Sequence, residues 1–192
     1  GSRAFAVGND NLASGSSSTA MGRGTIASGN DSTALGANTE ASGIASTALG
    51  ERTTASGDFS TAMGRDAVAS NQDSTAMGKG TIASGVASTS MGFGTIASGD
   101  FSTAIGDYTL SSGDFSTALG KGTIASGRYS TAMGHFTTAE DYMTLALGTL
   151  NKADETPNPD NFSYQNTAFV IGNGGFNSDG VYDGNLLSLI HI

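Results

Sequence analysis

A glycine returns every 14 residues along this chain, at Gly8, Gly22, Gly36, Gly50, Gly64, Gly78, Gly92, Gly106, Gly120, Gly134 and Gly148. No insertion or deletion disturbs the spacing. Before each glycine stands a large apolar residue: Val7, Met21, Leu35, Leu49, Met63, Met77, Met91, Ile105, Leu119, Met133 or Leu147. Before that comes alanine, except at Ser90. Seven residues on lies a second series, Gly15, Gly29, Gly43, Gly57, Gly85, Gly99, Gly113 and Gly127, with Asn71 and Asp141 in its two remaining places. Repetition at a fixed short period means one small unit stacked many times.

The period decides which unit. Glycine every seven residues would cost a helix about 1 kcal/mol each, and no apolar stripe of period 3.6 appears. The unit Ser-Thr-Ala-Met-Gly-x-Gly-Thr-Ile-Ala-Ser-Gly-x-x divides into two half-turns, each a short strand closed by a glycine corner. Equivalent residues then stack from coil to coil, so neighbouring strands pair in parallel. The expectation is an all-β solenoid with two short strands per 14-residue coil, about ten coils in residues 1–148, and a length of about 50 Å at ~4.8 Å per coil. Asn and Asp are the residues that best follow Gly into a left-handed backbone, so their presence at the second corner predicts positive φ there.

Side chains alternate across a strand. Ala20, Ala27, Ala34, Ala41, Ala48 and Ala55 therefore face a narrow interior that admits only small groups, while the Val/Met/Leu/Ile ladder and Thr19 face outward, and Ile26 and Ser28 leave by the opposite wall. An open apolar stripe is rare on a soluble surface. Burial of each such side chain is worth about 1.5–3 kcal/mol, so the ladder from Val7 to Leu147 reads as an oligomer interface. A parallel trimer with one shared apolar axis satisfies it; the residues alone leave two or three chains open.

Other chemistry finds little support. The chain carries 17 acidic and 8 basic residues, net charge −9, which gives it no electrostatic reason to bind nucleic acid or anionic lipid. There is no cysteine, hence no disulfide, thiol nucleophile or cysteine metal site. No apolar run approaches a membrane span, so this segment is expected to make no direct membrane contact. Gly22-x-Gly24 and Gly78-Lys79-Gly80 imitate a dinucleotide fingerprint but lack the following helix that motif needs. The two histidines, His135 and His191, lie far apart in sequence. No catalytic, cofactor-binding or metal-binding residue is assigned, and the chain is not expected to be an enzyme. Asp58, Asp100 and Asp114 read as solvated corner residues, with a weak cation site as the alternative. Phe59, Phe101, Phe115 and Tyr129 share one repeat position and read either as packing between chains or as an exposed adhesive stripe.

Ser18-Thr19-Ala20-Met21-Gly22, Ser32-Thr33-Ala34-Leu35-Gly36 and Ser102-Thr103-Ala104-Ile105-Gly106, followed by Ala27-Ser28-Gly29 and Ala97-Ser98-Gly99, resemble the head repeat of YadA-like trimeric autotransporter adhesins. The resemblance covers about residues 4–148; methionine often stands where that family usually has Ile or Val. It implies a left-handed parallel β-roll, a homotrimer, and an extracellular head on a cell-surface, outer-membrane fibre. The implied partner is an unknown extracellular ligand: matrix protein, cell surface or abiotic surface. A structural spacer or a phage-type receptor-binding fibre segment has the same fold and remains the alternative. Ice binding is a third reading, from Thr19 and Thr25 recurring with the repeat, although Met21 occupies the place a paired threonine row needs.

The chain opens inside a repeat and reads as a piece of a longer protein. Periodicity stops after Gly148. Residues 149–186 read as a loop holding both prolines and then a connector or neck-like segment. Its Ala168-Phe169-Val170-Ile171-Gly172 forms a strand and corner, with Gly172 out of step at 24 residues past Gly148. Residues 187–192, Leu-Ser-Leu-Ile-His-Ile, match one reading frame of a common sequencing adapter and read either as native or as read-through.

Overall fold

The computed structural model describes residues 2–151, 158–161, 167–173, 175–176, 182–183 and 186–191. The chain divides into two compact units, Gly1–Thr95 and Ile96–Ile192. Each is a parallel β-solenoid built from 14-residue coils, and each coil has a broad wall and a narrow wall.

In the first unit the broad wall is a ladder of five-residue strands running from Phe5–Asn9 and Thr19–Arg23 to Thr89–Phe93. The narrow wall is a ladder of two-residue strands from Leu12–Ala13 and Ile26–Ala27 to Ile82–Ala83. The two short strands expected in each coil are unequal, five residues and two. Register is strict: Ala20 pairs with Ala34, Met21 with Leu35 and Gly22 with Gly36. The second unit repeats this plan, with broad strands Thr103–Asp107, Thr117–Lys121, Thr131–His135 and Leu145–Thr149, and narrow strands from Ile96–Ala97 to Thr138–Ala139.

The interior follows from alternation. Ser18 and Ala20 point inward from the broad wall, Thr25 and Ala27 from the narrow wall, and all four are fully buried. Ala34, Ala41, Ala48 and Ala55 continue the same columns with no exposed surface. The polar half of the interior is satisfied locally where it can be. Seven of the nine corner serines donate to the carbonyl three residues before them, as Ser18 Oγ does to Gly15 O at 2.8 Å and Ser46 Oγ to Gly43 O at 2.7 Å, whereas the buried hydroxyls of Ser102 and Ser130 have no partner. Ser90 breaks the broad-wall alanine column and Ser111 the narrow-wall one; Ser90 Oγ lies 2.7 Å from Thr95 Oγ1 and Ser111 Oγ 2.6 Å from Ser116 Oγ, so both hydroxyls are paired.

The corner glycines act in two different ways. Gly8, Gly22, Gly36, Gly50, Gly64 and Gly78 sit at φ between +119 and +130. A Cβ on Gly36 would also meet the Gly50 carbonyl oxygen at 1.9 Å. The second series differs from the sequence expectation. Gly29 and its equivalents, with Asn71 and Asp141, do not have positive φ. Gly29 is small because the next coil's backbone passes close by: its Cβ would lie 2.0 Å from Gly43 O. The left-handed residue of that corner comes two places later and takes almost any side chain, as at Asp31, Ala45, Phe59, Phe101 and Tyr129. Its N–H bonds the preceding coil, Phe59 N to Ile44 O at 2.8 Å, and this stacking holds the strained backbone in place.

The end of the repeat also departs from expectation. Although the sequence spacing breaks, the sheet does not. The strand Thr167–Asn173 returns to the broad wall in parallel, with Leu147 paired to Ile171 and Gly148 to Gly172. The extra residues lie in the connection before it, so the strand keeps its column. Leu186–His191 then pairs antiparallel to it. The side chains of residues 187–192, and Ile192 altogether, lie outside the described residues, as does much of 149–186.

Candidate interaction surface

The outward face of the broad wall follows from the same alternation that buries Ser18 and Ala20. In the first unit Val7, Met21, Leu35, Leu49, Met63, Met77 and Met91 stack in register, each opposite the next. In the second unit Ile105, Leu119, Met133 and Leu147 do the same. None is buried. Val7, Met21, Ile105 and Met133 are 46%, 40%, 38% and 39% exposed, and the other seven are half-buried. A row of half-buried threonines (Thr19, Thr33, Thr47, Thr61, Thr75, Thr89) runs beside the first column. The outcome is a flat strip of thioether, branched alkyl and methyl groups with no charge in it.

The narrow wall carries an outward column as well: Leu12, Ile26, Glu40, Thr54, Val68 and Ile82 in the first unit. Glu40 and Thr54 break its apolar run, which sets it apart from the uninterrupted broad-wall strip.

The corners are polar and carry their own ladders. Asp58 Oδ1 accepts the Ile44 N–H at 2.8 Å, and Asp114 Oδ1 accepts the Asp100 N–H at 3.1 Å. These acids therefore tie one coil to the next. Among the described residues, no cluster of three or more His, Cys, Asp or Glu is placed to hold a metal ion. In the second unit Phe101 stacks on Phe115 at 5.0 Å and 5°, and Phe115 on Tyr129 at 4.9 Å and 12°. The Arg128 guanidinium lies 5.1 Å from the Tyr129 ring. All three stacked rings, and Phe59 in the first unit, are exposed at their outer edges. The threonine column that suggested ice binding is divided: Thr25, Thr39, Thr53, Thr81 and Thr95 are interior and buried, so no lattice can reach them.

The model of the YadA head domain repeat matches residues 1–25, 13–39, 41–67, 55–81, 69–95, 83–109, 97–123, 111–137 and 125–151. The chain belongs to the YadA head family. From residue 41 onward its matched windows advance in the same 14-residue steps as the coils, so the family repeat and the structural coil share one period. A comparison with curated proteins finds no match. YadA heads are non-enzymatic and trimeric in general, and belong to surface-exposed autotransporter adhesins; this chain is a segment of an adhesin-like fibre of that type.

Two features of this YadA head escaped the sequence reading. Ile171 extends the broad-wall column beyond Leu147; the Ile-Gly pair it forms with Gly172, the same as Ile105-Gly106, was the available signal. The inward serine and threonine columns were also missed, although serine stands two places before the alanine in nearly every repeat.

In the first unit an ion pair joins neighbouring coils at an exposed corner. Arg52 Nε donates to Asp66 Oδ1 at 2.7 Å and Nη2 to Oδ2 at 3.0 Å, while Arg52 also pairs with Glu51. The hydrogen bonds from Arg52 hold the Asp66 carboxyl below its ordinary range, opposed by partial desolvation and assisted by the charges of Arg52, Arg65 and Lys79. Because the folded value is depressed, the pair contributes in full at neutral pH. That contribution is lost as pH falls through the Asp66 titration, below the usual carboxylate range. In Arg52→Gln, carboxyl NMR should show Asp66 titrating at a higher pH than in the parent chain; an identical curve would mean the pair does not form in solution.

Proposed function

We propose that the broad-wall strip is the surface on which three copies of this chain pack in parallel, and that the assembly is the adhesive head of a bacterial surface fibre. The observation that carries this reading is the uninterrupted apolar column, outward-facing in both units and left partly exposed among the described residues. Each unit offers up to about 2 kcal/mol per residue on burial of the area still exposed, and a parallel arrangement brings like residues of each coil to one axis without opposing charges. Family membership favours three chains over two.

In this reading residues 1–148 form the head and residues 149–186 close it and lead onward to the rest of the fibre, with 187–192 either native or read-through. The corners, which face away from the strip, are then the surface left for contact with matrix, cells or abiotic material outside the cell. The repeated corner aromatics and acids give that surface a regular texture and leave the ligand unspecified.

The first test is the molar mass in solution by sedimentation equilibrium. Three times the 19.1 kDa of one chain is expected; a stable single chain would refute the interface. The second is attachment. Beads coated with the chain should adhere to immobilised matrix, cells or plastic above beads coated with an unrelated trimer. A trimer that adheres to none of them would turn the reading to a structural spacer.

A further inference from the structure

In the second unit three lines of backbone reach the last repeat coil: the broad wall, the narrow wall, and the corner that carries Arg128 and Tyr142. Each would present unpaired groups to the next coil. At each of them a residue that breaks the repeat supplies what a further coil would have supplied.

On the narrow wall the final strand is Thr138–Ala139. In earlier coils the equivalent N–H bonds a backbone carbonyl of the next coil, as Ile124 N does to Thr137 O at 2.8 Å. Among the described residues no such strand lies beside Thr138. Its N–H bonds Asn151 Oδ1 at 2.6 Å, and its carbonyl accepts from Asn151 Nδ2 at 2.7 Å. Asn151 stands at the position that Thr109, Thr123 and Thr137 fill in earlier coils. A threonine there has no amide to offer. The asparagine side chain presents one donor and one acceptor, in the manner of a peptide group.

The corner is closed differently. Asp100 N–H bonds the Asp114 carboxylate of the next coil at 3.1 Å, but the residue one coil beyond Arg128 is Tyr142, whose ring carries no acceptor at that place. Arg128 N–H is instead taken by the Pro159 carbonyl at 2.8 Å, and Tyr142 N–H by the Asn158 carbonyl at 3.0 Å. Asn158 is held in turn, its N–H bonding Asp141 Oδ1 at 2.6 Å. Asp141 occupies a corner-glycine position and is buried. Its departure from glycine thus has a consequence: it anchors the segment that covers the corner. The broad wall is closed by Thr167–Asn173 and then by the antiparallel Leu186–His191, which ends the parallel stacking.

We infer that Asn151, Asp141 and the Asn158–Pro159 segment form a dedicated terminal cap, which stops the solenoid at this edge by replacing the hydrogen bonds of a further coil. The cap closes an edge that would otherwise fray or accept a strand from another molecule, and it does so whether the chain is single or assembled.

The test is amide hydrogen exchange on the full 192-residue chain. In the parent protein Thr138, Arg128 and Tyr142 amides should exchange at least tenfold more slowly than an exposed corner amide. Asn151→Thr, which restores the repeat residue, should lose that protection at Thr138 and leave Thr117 unchanged. Asn151→Asp keeps the acceptor and should retain most of it. Asp141→Gly should speed exchange at Tyr142 and Arg128 while sparing Thr138. Fast exchange at all three amides in the parent chain would overturn the cap, and so would Asn151→Thr leaving Thr138 protected. The parent measurement stands even if a variant does not fold.

Discussion

Met63→Glu, Met77→Glu and Met91→Glu, made together, are expected to turn the assembly into single chains that retain their strand content. The three residues occupy consecutive coils and face outward, Met63 opposite Met77 and Met77 opposite Met91. Within one chain the change is tolerable, because each carboxylate stays in water and no interior group is disturbed. In a parallel assembly it is not. Because the three are already half-buried within one chain, the lost burial alone amounts to about 1–5 kcal/mol per chain. Each carboxylate would also be brought against its counterparts in the other chains, away from solvent, and a buried unpaired charge costs a further 3–5 kcal/mol by rough measure. Sedimentation should show the single-chain mass at concentrations where the parent is associated. The triple Met→Gln variant, which removes apolar surface without adding charge, should weaken association less. If the glutamate variant kept the parent's mass, the strip would not be the interface.

Gly36→Ala is expected to be among the most damaging single changes available to this chain, and Gly80→Ala one of the milder changes at a glycine. Both glycines have positive φ, +128 and +65. They differ in what surrounds them. A Cβ at Gly36 would stand 1.9 Å from the Gly50 carbonyl oxygen, whereas at Gly80 nothing lies within 4 Å. The obstacle at Gly36 is backbone fixed in a ladder on both sides, so it cannot yield without breaking the register of Leu35–Leu49 and Gly36–Gly50. A loss of about 3–5 kcal/mol is expected for Gly36→Ala, or roughly 6–20 °C in melting temperature. Gly80→Ala should cost only the left-handed conformation, about 1–2 kcal/mol. The comparison, made by thermal unfolding at equal chain concentration, separates backbone conformation from close approach. Equal losses would show that the gap between coils has no part in conserving the glycine column along the chain.

The same contrast explains which parts of the architecture could be read in advance. Thr-Ala-Met-Gly at a constant interval announces strands, stacking and register, since every coil must repeat the backbone of its neighbour. Alternation then places Ala20 inside and Met21 outside. The second glycine column was open to misreading because two causes leave the same trace: both positive φ and a close backbone favour glycine. Gly29 has the second cause only. The true left-handed position, at Asp31, Phe59 or Phe101, carries no glycine and so no signal, because the carbonyl of the preceding coil holds it there. The surface was legible in part. The ladder follows from spacing, but the stacking of Phe101, Phe115 and Tyr129 depends on ring orientations that spacing does not specify.

What the order of residues determined by itself is therefore the coil: its length, its two walls, its alanine interior and its outward apolar column. These depend on local alternation and on each unit meeting a copy of itself, which periodicity states outright. Tertiary structure alone decided how the coil divides into five and two residues, which glycines are strained and which are merely crowded, and how Ile171 rejoins the broad wall after an irregular connection. Those outcomes turn on distances between segments separated in the chain, where Asn151 and Asp141 act through side-chain hydrogen bonds that no repeat pattern encodes.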